Sequence, residues 1–400
     1  MTERALEGVR VLDLSQGISG AYCAKLFASF GAEVIKVEPP GMGDPARACG
    51  PFLDDRPHPE TSAVFLYLNT GKLGVTLNLE SKSGAKILKS LVEDTDCLIE
   101  NFHPSYLAGL GLSYDALAGV NPRLVMASIT DFGQTGPYRD FKGGRLVANA
   151  LGGYTYVNGD PGREPLAGGG EQPAYQGGLN AYPAAVAALL SRDSTGQGQH
   201  IDVSLMECMA AVHQFTVNRN VYTGKIQERV GNRYVWAHPI TIYPCKDGYV
   251  SICPSGEDQT ERMLIFMGME HLLEDERFQT GFHRLVNYEA FDELVIPWFM
   301  ERDRREIVDT CQEWRVPATH VNSVADLLKD EQYQARKFWV ELDHPLAGAR
   351  PYAGPPFKMS ETPAEINRAP LFGEHNEEIY LNRLGLTPND LVRLRQNGVI

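Results

Sequence analysis

The stretch VRVLDLSQGISGAYCAKLFASFGAEVIKVE, residues 9–38, carries two apolar strand patterns on either side of a turn and a helix pattern. Residues 9–14 read as a buried strand, 17–20 as a turn, and 21–30 as a helix with Cys23, Leu26, Phe27 and Phe30 on its apolar side. Residues 31–38 form a second strand. Strand, helix and strand in so short a span make a βαβ unit, so the expected fold is α/β with a parallel sheet. Its glycines follow the first strand, as in dinucleotide-binding folds, but the spacing is not GxGxxG and NAD or FAD gains little support.

Further along, residues 83–93 have amphipathic helix spacing and 96–100 a strand pattern, broken by Asn101-Phe102-His103-Pro104. That break falls where open α/β sheets place ligands. Residues 124–129 form another strand, ending in a turn at 131–138. Arg47 and Lys72 lie in two irregular loops, where each could hold a phosphate by charge-assisted hydrogen bonds or simply be a solvated loop charge. In residues 165–207 the run Gly168-Gly169-Gly170 and Pro173 read as loop. Small residues at 177–190 then suit a helix that a backbone or flat ligand can approach closely. A turn at 196–199 leads into a strand at 200–204, and 206–217 looks helical.

From about residue 218 the texture changes to one short strand, 249–252, and helices at 259–266, 288–299 and 304–314. Segments near 333–340 and 351–357 return to the first domain, and Thr387 caps a final helix. The expected organisation is a large domain of residues 1–220 and 325–400, with a small α+β domain at 221–324.

With 43% hydrophobic and 22% charged residues, the composition is that of an ordinary soluble globular protein. A net charge of -14 argues against a nucleic-acid partner, while leaving room for a local basic pocket. Seven cysteines without CxxC spacing suggest reduced thiols. No signal-peptide pattern and no window of ~18 apolar residues occurs, so no membrane association and a cytoplasmic location are expected. The ten histidines show no HxxxH or HExxH spacing, and no metal is expected. His213 and His238 lack a carboxylate partner nearby in sequence and read as structural, and Glu257 as an exposed loop acid.

The segments LEGVRVLDLS, GAEVIKVEPPGMGDPAR, LNTGKLGVTLNL, IENFHP, GLGLSYDAL, NPRLVMASITDFGQTGPY, LLSRDSTGQGQHIDVSLME and PLFGEHNEEIYLNRLG, in this order and spacing, resemble the class III CoA-transferases, the CaiB/BaiF family. The resemblance implies a Rossmann-like large domain built from both chain ends, a small domain, and two chains threaded through each other as an interlocked dimer. It also implies coenzyme A as substrate and acyl carrier, with Arg47, Lys72, Asn101, Phe102 and His103 at the family's CoA-binding positions. Leu73 and Ala21 depart from the common pattern, which has a second cation and a proline there.

Family transferases use an Asp, followed by three residues and Gly-Leu, as the nucleophile that takes the acyl group and then CoA. Here Gly178-Leu179 aligns and the Asp position falls on Ala174, which has no nucleophilic atom. The family's racemase branch needs a His that would fall on Gly144, with an Asp again missing at 174. Four explanations stay open. The chain works beside a homologous Asp-containing subunit, as in benzylsuccinate CoA-transferases built from two family members. It is an Asp-to-Ala variant of a homodimer, although the neighbouring Gln172-Pro173 and Tyr175-Gln176 also differ from the common pattern. Glu171 supplies the carboxylate after a loop rearrangement. Or it is a catalytically silent CoA-thioester-binding or scaffold protein, or one with new chemistry. The expected function is CoA transfer between an acyl-CoA such as succinyl-CoA and a carboxylic acid. Arg145, Gly169 and Gly170 are the candidates for the acyl end, Arg145 as a bidentate partner of a substrate carboxylate.

Overall fold

The computed structural model describes residues 4–400. Two compact units divide them: one takes in residues up to Tyr154, Gly168–Val217 and Gln334–Ile400, the other Thr155–Ala167 and Asn218–Tyr333.

In the first unit, β1 (Arg10–Asp13), β2 (Glu33–Glu38), β3 (Leu73–Thr76), β4 (Cys97–Glu100), β5 (Val125–Thr130) and β6 (His200–Ser204) form one sheet in the order β3-β2-β1-β4-β5-β6. Every neighbouring pair is parallel. The strand order reverses between β1 and β4, and in doubly wound sheets that point opens a ligand crevice outside the carboxyl ends.

The period-2 alternation of the strands buries both faces. Leu12, Ile35, Val37, Leu98 and Met126 pack on one side under the helices Lys82–Val92 and Pro388–Gln396. Val11, Val34, Cys97, Ile99 and Val125 pack on the other, under Ser19–Ser29 and Gln172–Thr195. Strands covered twice read as near-continuous apolar runs, as these do. The open edge at β3 is covered by the chain's return: Gly74 N–H donates to His375 Nδ1 at 3.0 Å and Thr76 N–H to Asn376 Oδ1 at 2.8 Å.

The second unit holds an antiparallel sheet of β7 (Thr241–Cys245), β8 (Gly248–Ile252) and β9 (Ala318–His320), packed around Val250, Phe291, Val295 and Phe299. β10 (Trp339–His344) and β11 (Gly348–Ala353) make an antiparallel hairpin in the first unit. Among the described residues no helix is long and apolar enough to cross a membrane.

Two expectations need correction. The helix expected over 177–190 begins at Gln172, because Pro173 sits in its first turn, where a missing N–H leaves no hydrogen bond unmade. Ala174 is therefore helical, not part of the glycine loop. The single helix expected over 206–217 is two, Leu205–Ala211 and Gln214–Thr223.

Small residues let Gln172–Thr195 lie against Ser19–Ser29. A Cβ added at Gly178 would fall 2.4 Å from the Ser19 carbonyl oxygen and 3.1 Å from the Cys23 nitrogen. Backbone atoms cannot swing aside, so Gly178→Ala is expected to destabilise the fold by about 1–3 kcal/mol. Gly169, with open space around it, is the control. Urea midpoints should fall for Gly178→Ala and stay put for Gly169→Ala.

Candidate active site

Asn101, the residue after β4, ties the two loops at the strand-order reversal together. Its Nδ2 donates to the Gln16 carbonyl at 2.6 Å and to Ser19 Oγ at 3.1 Å, while its Oδ1 accepts the Gln16 N–H at 2.7 Å. Beside it opens a cavity of about 360 Å³ whose wall includes Asn101, Phe102, His103, Thr130, Asp131 and Lys142. Phe102 packs against Tyr106 with ring centres 4.7 Å apart. It also walls a second cavity of about 270 Å³, with Leu14, Pro39, Met42 and Leu79. His103 Nδ1 is 2.9 Å from Ser105 Oγ, and its Nε2 is 3.6 Å from Asp140 Oδ1. Three of the five CoA-binding candidates thus meet at one place, the carboxyl edge of the sheet.

Arg47 and Lys72 are placed differently. Lys72 is buried, its Nζ 2.7 Å from Asp13 Oδ2 and donating to Asn69 Oδ1 and the Ala21 carbonyl at 2.9 Å each. Burial brings its ammonium down to about 8, and Lys36 adds repulsion against the pull of Asp13. Burial works to raise the Asp13 carboxyl, but Lys36 and Lys72 outweigh it and hold the group below the usual carboxylate range. Lys36 Nζ in turn pairs with Asp44 Oδ2 at 2.7 Å. Arg47, only 2% exposed, meets Glu38 Oε2 at 2.6 Å and Glu60 Oε2 at 2.8 Å, with its guanidinium 3.6 Å from the Phe65 ring centre. Both cations are already matched by protein groups.

Ala174 lies half-buried in the first turn of Gln172–Thr195. Glu171 precedes that helix, and its Oε1 is 3.6 Å from Arg145 Nε. Arg145 Nη1 also donates to the Gly170 carbonyl at 3.2 Å. The acyl-end candidates Arg145, Gly170 and Glu171 are therefore gathered together, while Gly169 stands open. This helix reaches the cavity wall, since a side chain at Gly177 would strike Leu205 and Ile129, both of which line it.

Sequence reasoning passed over several cavity groups. Arg139 and Lys142 add cations, and Asp131 adds a carboxyl raised by burial and partly restored by the Gly144 N–H. All three sit in the turn after β5, whose position at a strand's carboxyl end was a usable signal. His238 has a partner distant in sequence, Asp292 Oδ1 at 2.8 Å, and Glu257 pairs with Arg284 at 2.6 Å. His213 stacks edge-on to Tyr154.

A doubly wound α/β unit with a polar, cation-bearing crevice at the sheet's carboxyl edge is the class this geometry defines. The model of CoA-transferase family III matches residues 6–376, and the chain belongs to that family. It is 34% identical over 406 residues to the succinyl-CoA–L-malate CoA-transferase beta subunit of Chloroflexus aurantiacus, covering 100% of this chain and 99% of that protein. It is also 34% identical over 382 residues to succinyl-CoA:(R)-benzylsuccinate CoA-transferase subunit BbsE of Thauera aromatica, covering 92% of each. A CAIB/BAIF family protein from Brucella suis superposes with a TM-score of 0.87 at 31% identity, covering 95% of this chain and 99% of that one.

Removing Asp13 leaves two buried ammonium groups without their shared carboxylate. Asp13→Asn is expected to lower stability by about 3–5 kcal/mol, read as a fall in the urea midpoint. Exchange of an exposed acid such as Glu313 should leave that midpoint within about 0.5 kcal/mol.

Proposed function

We propose that this chain is the non-nucleophilic member of a two-subunit class III CoA-transferase. It would bind an acyl-CoA such as succinyl-CoA, and a homologous subunit would bring the catalytic Asp. The observation that carries this reading is Ala174. The position that supplies the nucleophile in the resembling transferases is a methyl group here, in an otherwise regular first helical turn. That two of the compared relatives are named as subunits supports it.

In this reading Asn101, Phe102 and His103 hold the CoA thioester along the crevice, and Lys142 and Arg139 offer charge-assisted bonds to its phosphates. Arg47 and Lys72 act from behind, fixing the loops that frame the site. Arg145 receives the carboxylate at the far end of a dicarboxylic acyl group, exchanging Glu171 for the substrate. The loop carrying Gly169 and Gly170 covers the acyl group, with the two chains threaded as linked rings. The partner's carboxylate attacks the thioester carbonyl, the C–S bond breaks, and the CoA thiolate then attacks the resulting anhydride and releases the donor acid. The acceptor carboxylate repeats these steps in reverse on the enzyme thioester.

The purified chain mixed with succinyl-CoA and a panel of free acids, benzylsuccinate among them, should form no new thioester by mass spectrometry while still binding CoA. Adding an Asp-bearing homologous subunit should start transfer, with Ala174→Asp as the single-chain counterpart. New thioesters from the chain alone would overturn the partner reading and make Glu171 and Asp131 the carboxylates to replace. Silence with every partner and in Ala174→Asp, with CoA still bound, would mark a binding protein without transferase chemistry.

A further inference from the structure

Glu100 closes β4, a strand that is otherwise wholly apolar, and is 4% exposed. Its Oε2 accepts the N–H of Phe102 at 2.7 Å. Ser128, its register partner on β5, stands beside it, and its hydroxyl works to hold the Glu100 carboxyl down. Ser128 Oγ is also 2.8 Å from His200 Nε2, at the start of β6. Tyr114 stacks on the His200 ring, with centres 5.3 Å apart and planes 13° from parallel.

His200, Ser128 and Glu100 thus stand on three neighbouring strands, and Glu100 holds the backbone of the loop that carries Asn101, Phe102 and His103. That loop is a partition. The cavity of about 360 Å³ lies on one side, and a third cavity of about 200 Å³, walled by Glu100, Ser128, Gln134, His200 and Asp115, lies on the other. His103 and Pro104 belong to both. The Phe102 amide tethers this partition to Glu100, and the Asn101 side chain tethers it to Gln16 and Ser19.

We propose that Glu100 is a positioning residue for substrate binding: its ionised carboxylate, with Ser128 beside it, holds the loop of Asn101, Phe102 and His103 in its binding geometry and releases it on protonation. The consequence for CoA rests on the binding site proposed above, whereas the consequence for the Phe102 amide does not. Burial pushes the Glu100 carboxyl up to about 7, against the bonds from Ser128 and Phe102, and Asp202 on β6 adds a like charge. Around it, burial lowers His200 against the pull of Asp202 and Asp115. Asp115 faces His200 from the helix Tyr114–Ala118, and His103 faces the site from the loop itself. The sign follows: above about 7 the carboxylate is charged and grips the amide, and below it the neutral acid is a weaker acceptor.

The test has two readouts. In [15N]phenylalanine-labelled chain, the Phe102 amide resonance should titrate with a midpoint near 7 in the native sequence and not at all in Glu100→Gln, which has no carboxyl proton to gain. Ser128→Ala, by removing a donor to the carboxylate, should move that midpoint upward. By calorimetry, CoA should bind about tenfold more weakly at pH 6 than at pH 8. Glu100→Gln, uncharged at every pH, should bind about as weakly at pH 8 as the native chain does at pH 6 and retain only the pH dependence of CoA itself. A flat Phe102 amide, or CoA affinities that move in parallel in the two proteins, would overturn the proposal. Absence of CoA binding at any pH would overturn the site assignment instead, and the amide titration would still decide the role of Glu100.

Discussion

The carboxylate of Asp13, buried at the end of β1, is the contact around which the carboxyl edge of the sheet is organised. It takes Lys72 at 2.7 Å from the start of the β3 region and stands 3.8 Å from Lys36 on β2. Lys36 reaches on to Asp44, whose Oδ1 accepts the Gly17 amide at 2.9 Å and caps the short turn Pro45–Ala48. Glu38 at the end of β2 then fixes Arg47 and, through its Oε2, the Asp44 amide. Each of these ions would cost several kcal/mol to bury alone. None is alone, so the loops after β1 and β2 and the entry to β3 have to assemble together. The charges serve geometry more than affinity: they turn three flexible connections into one rigid rim.

On that rim the crevice takes its form from Asn101. A side-chain amide that both donates to and accepts from Gln16 copies one rung of a strand ladder beyond the end of the strands. The loops of β1 and β4 part at this point because their helices lie on opposite faces of the sheet. A long side chain between them would fill the opening, whereas a short amide bridges it and leaves room beside Phe102. Close packing of Gln172–Thr195 on Ser19–Ser29 supplies the other wall, and small residues at 177, 178, 181 and 185 make that approach possible.

The βαβ pattern of residues 9–38 and the strand endings at Asn101 and Asp131 were legible because apolar alternation and turn residues are local signals. The buried charge cluster was not. Lys36 and Glu38 read as ordinary strand charges, and nothing local to Lys72 points to its partner Asp13, 59 residues away. Arg47 and Lys72 were singled out as cations, yet only the fold shows that protein carboxylates already occupy them. Glu100 was legible as a strand residue and silent as a site, since Ser128 and His200 reach it only through the register of three parallel strands. Pro173 misled in the other direction. A proline reads as a break, and only its place in the first turn reveals a helix start.

Ala174 makes chemistry and folding separable at one position. The first turn of Gln172–Thr195 contains no acid, and the Glu171 side chain makes no capping bond to it. Alanine is the best helix former and proline suits the first turn, so nothing in the helix requires a carboxylate here. Glu171 cannot stand in without change. It lies before the helix, three positions from 174, and its carboxylate is held towards Arg145. Moving it would leave the guanidinium unmatched unless a substrate carboxylate took its place. The ion pair that holds Glu171 towards Arg145 is long, 3.6 Å, and part exposed, so the pairing is weak. On the two-subunit reading proposed above, the frame and the Arg145 guanidinium leave binding as this chain's contribution to transfer.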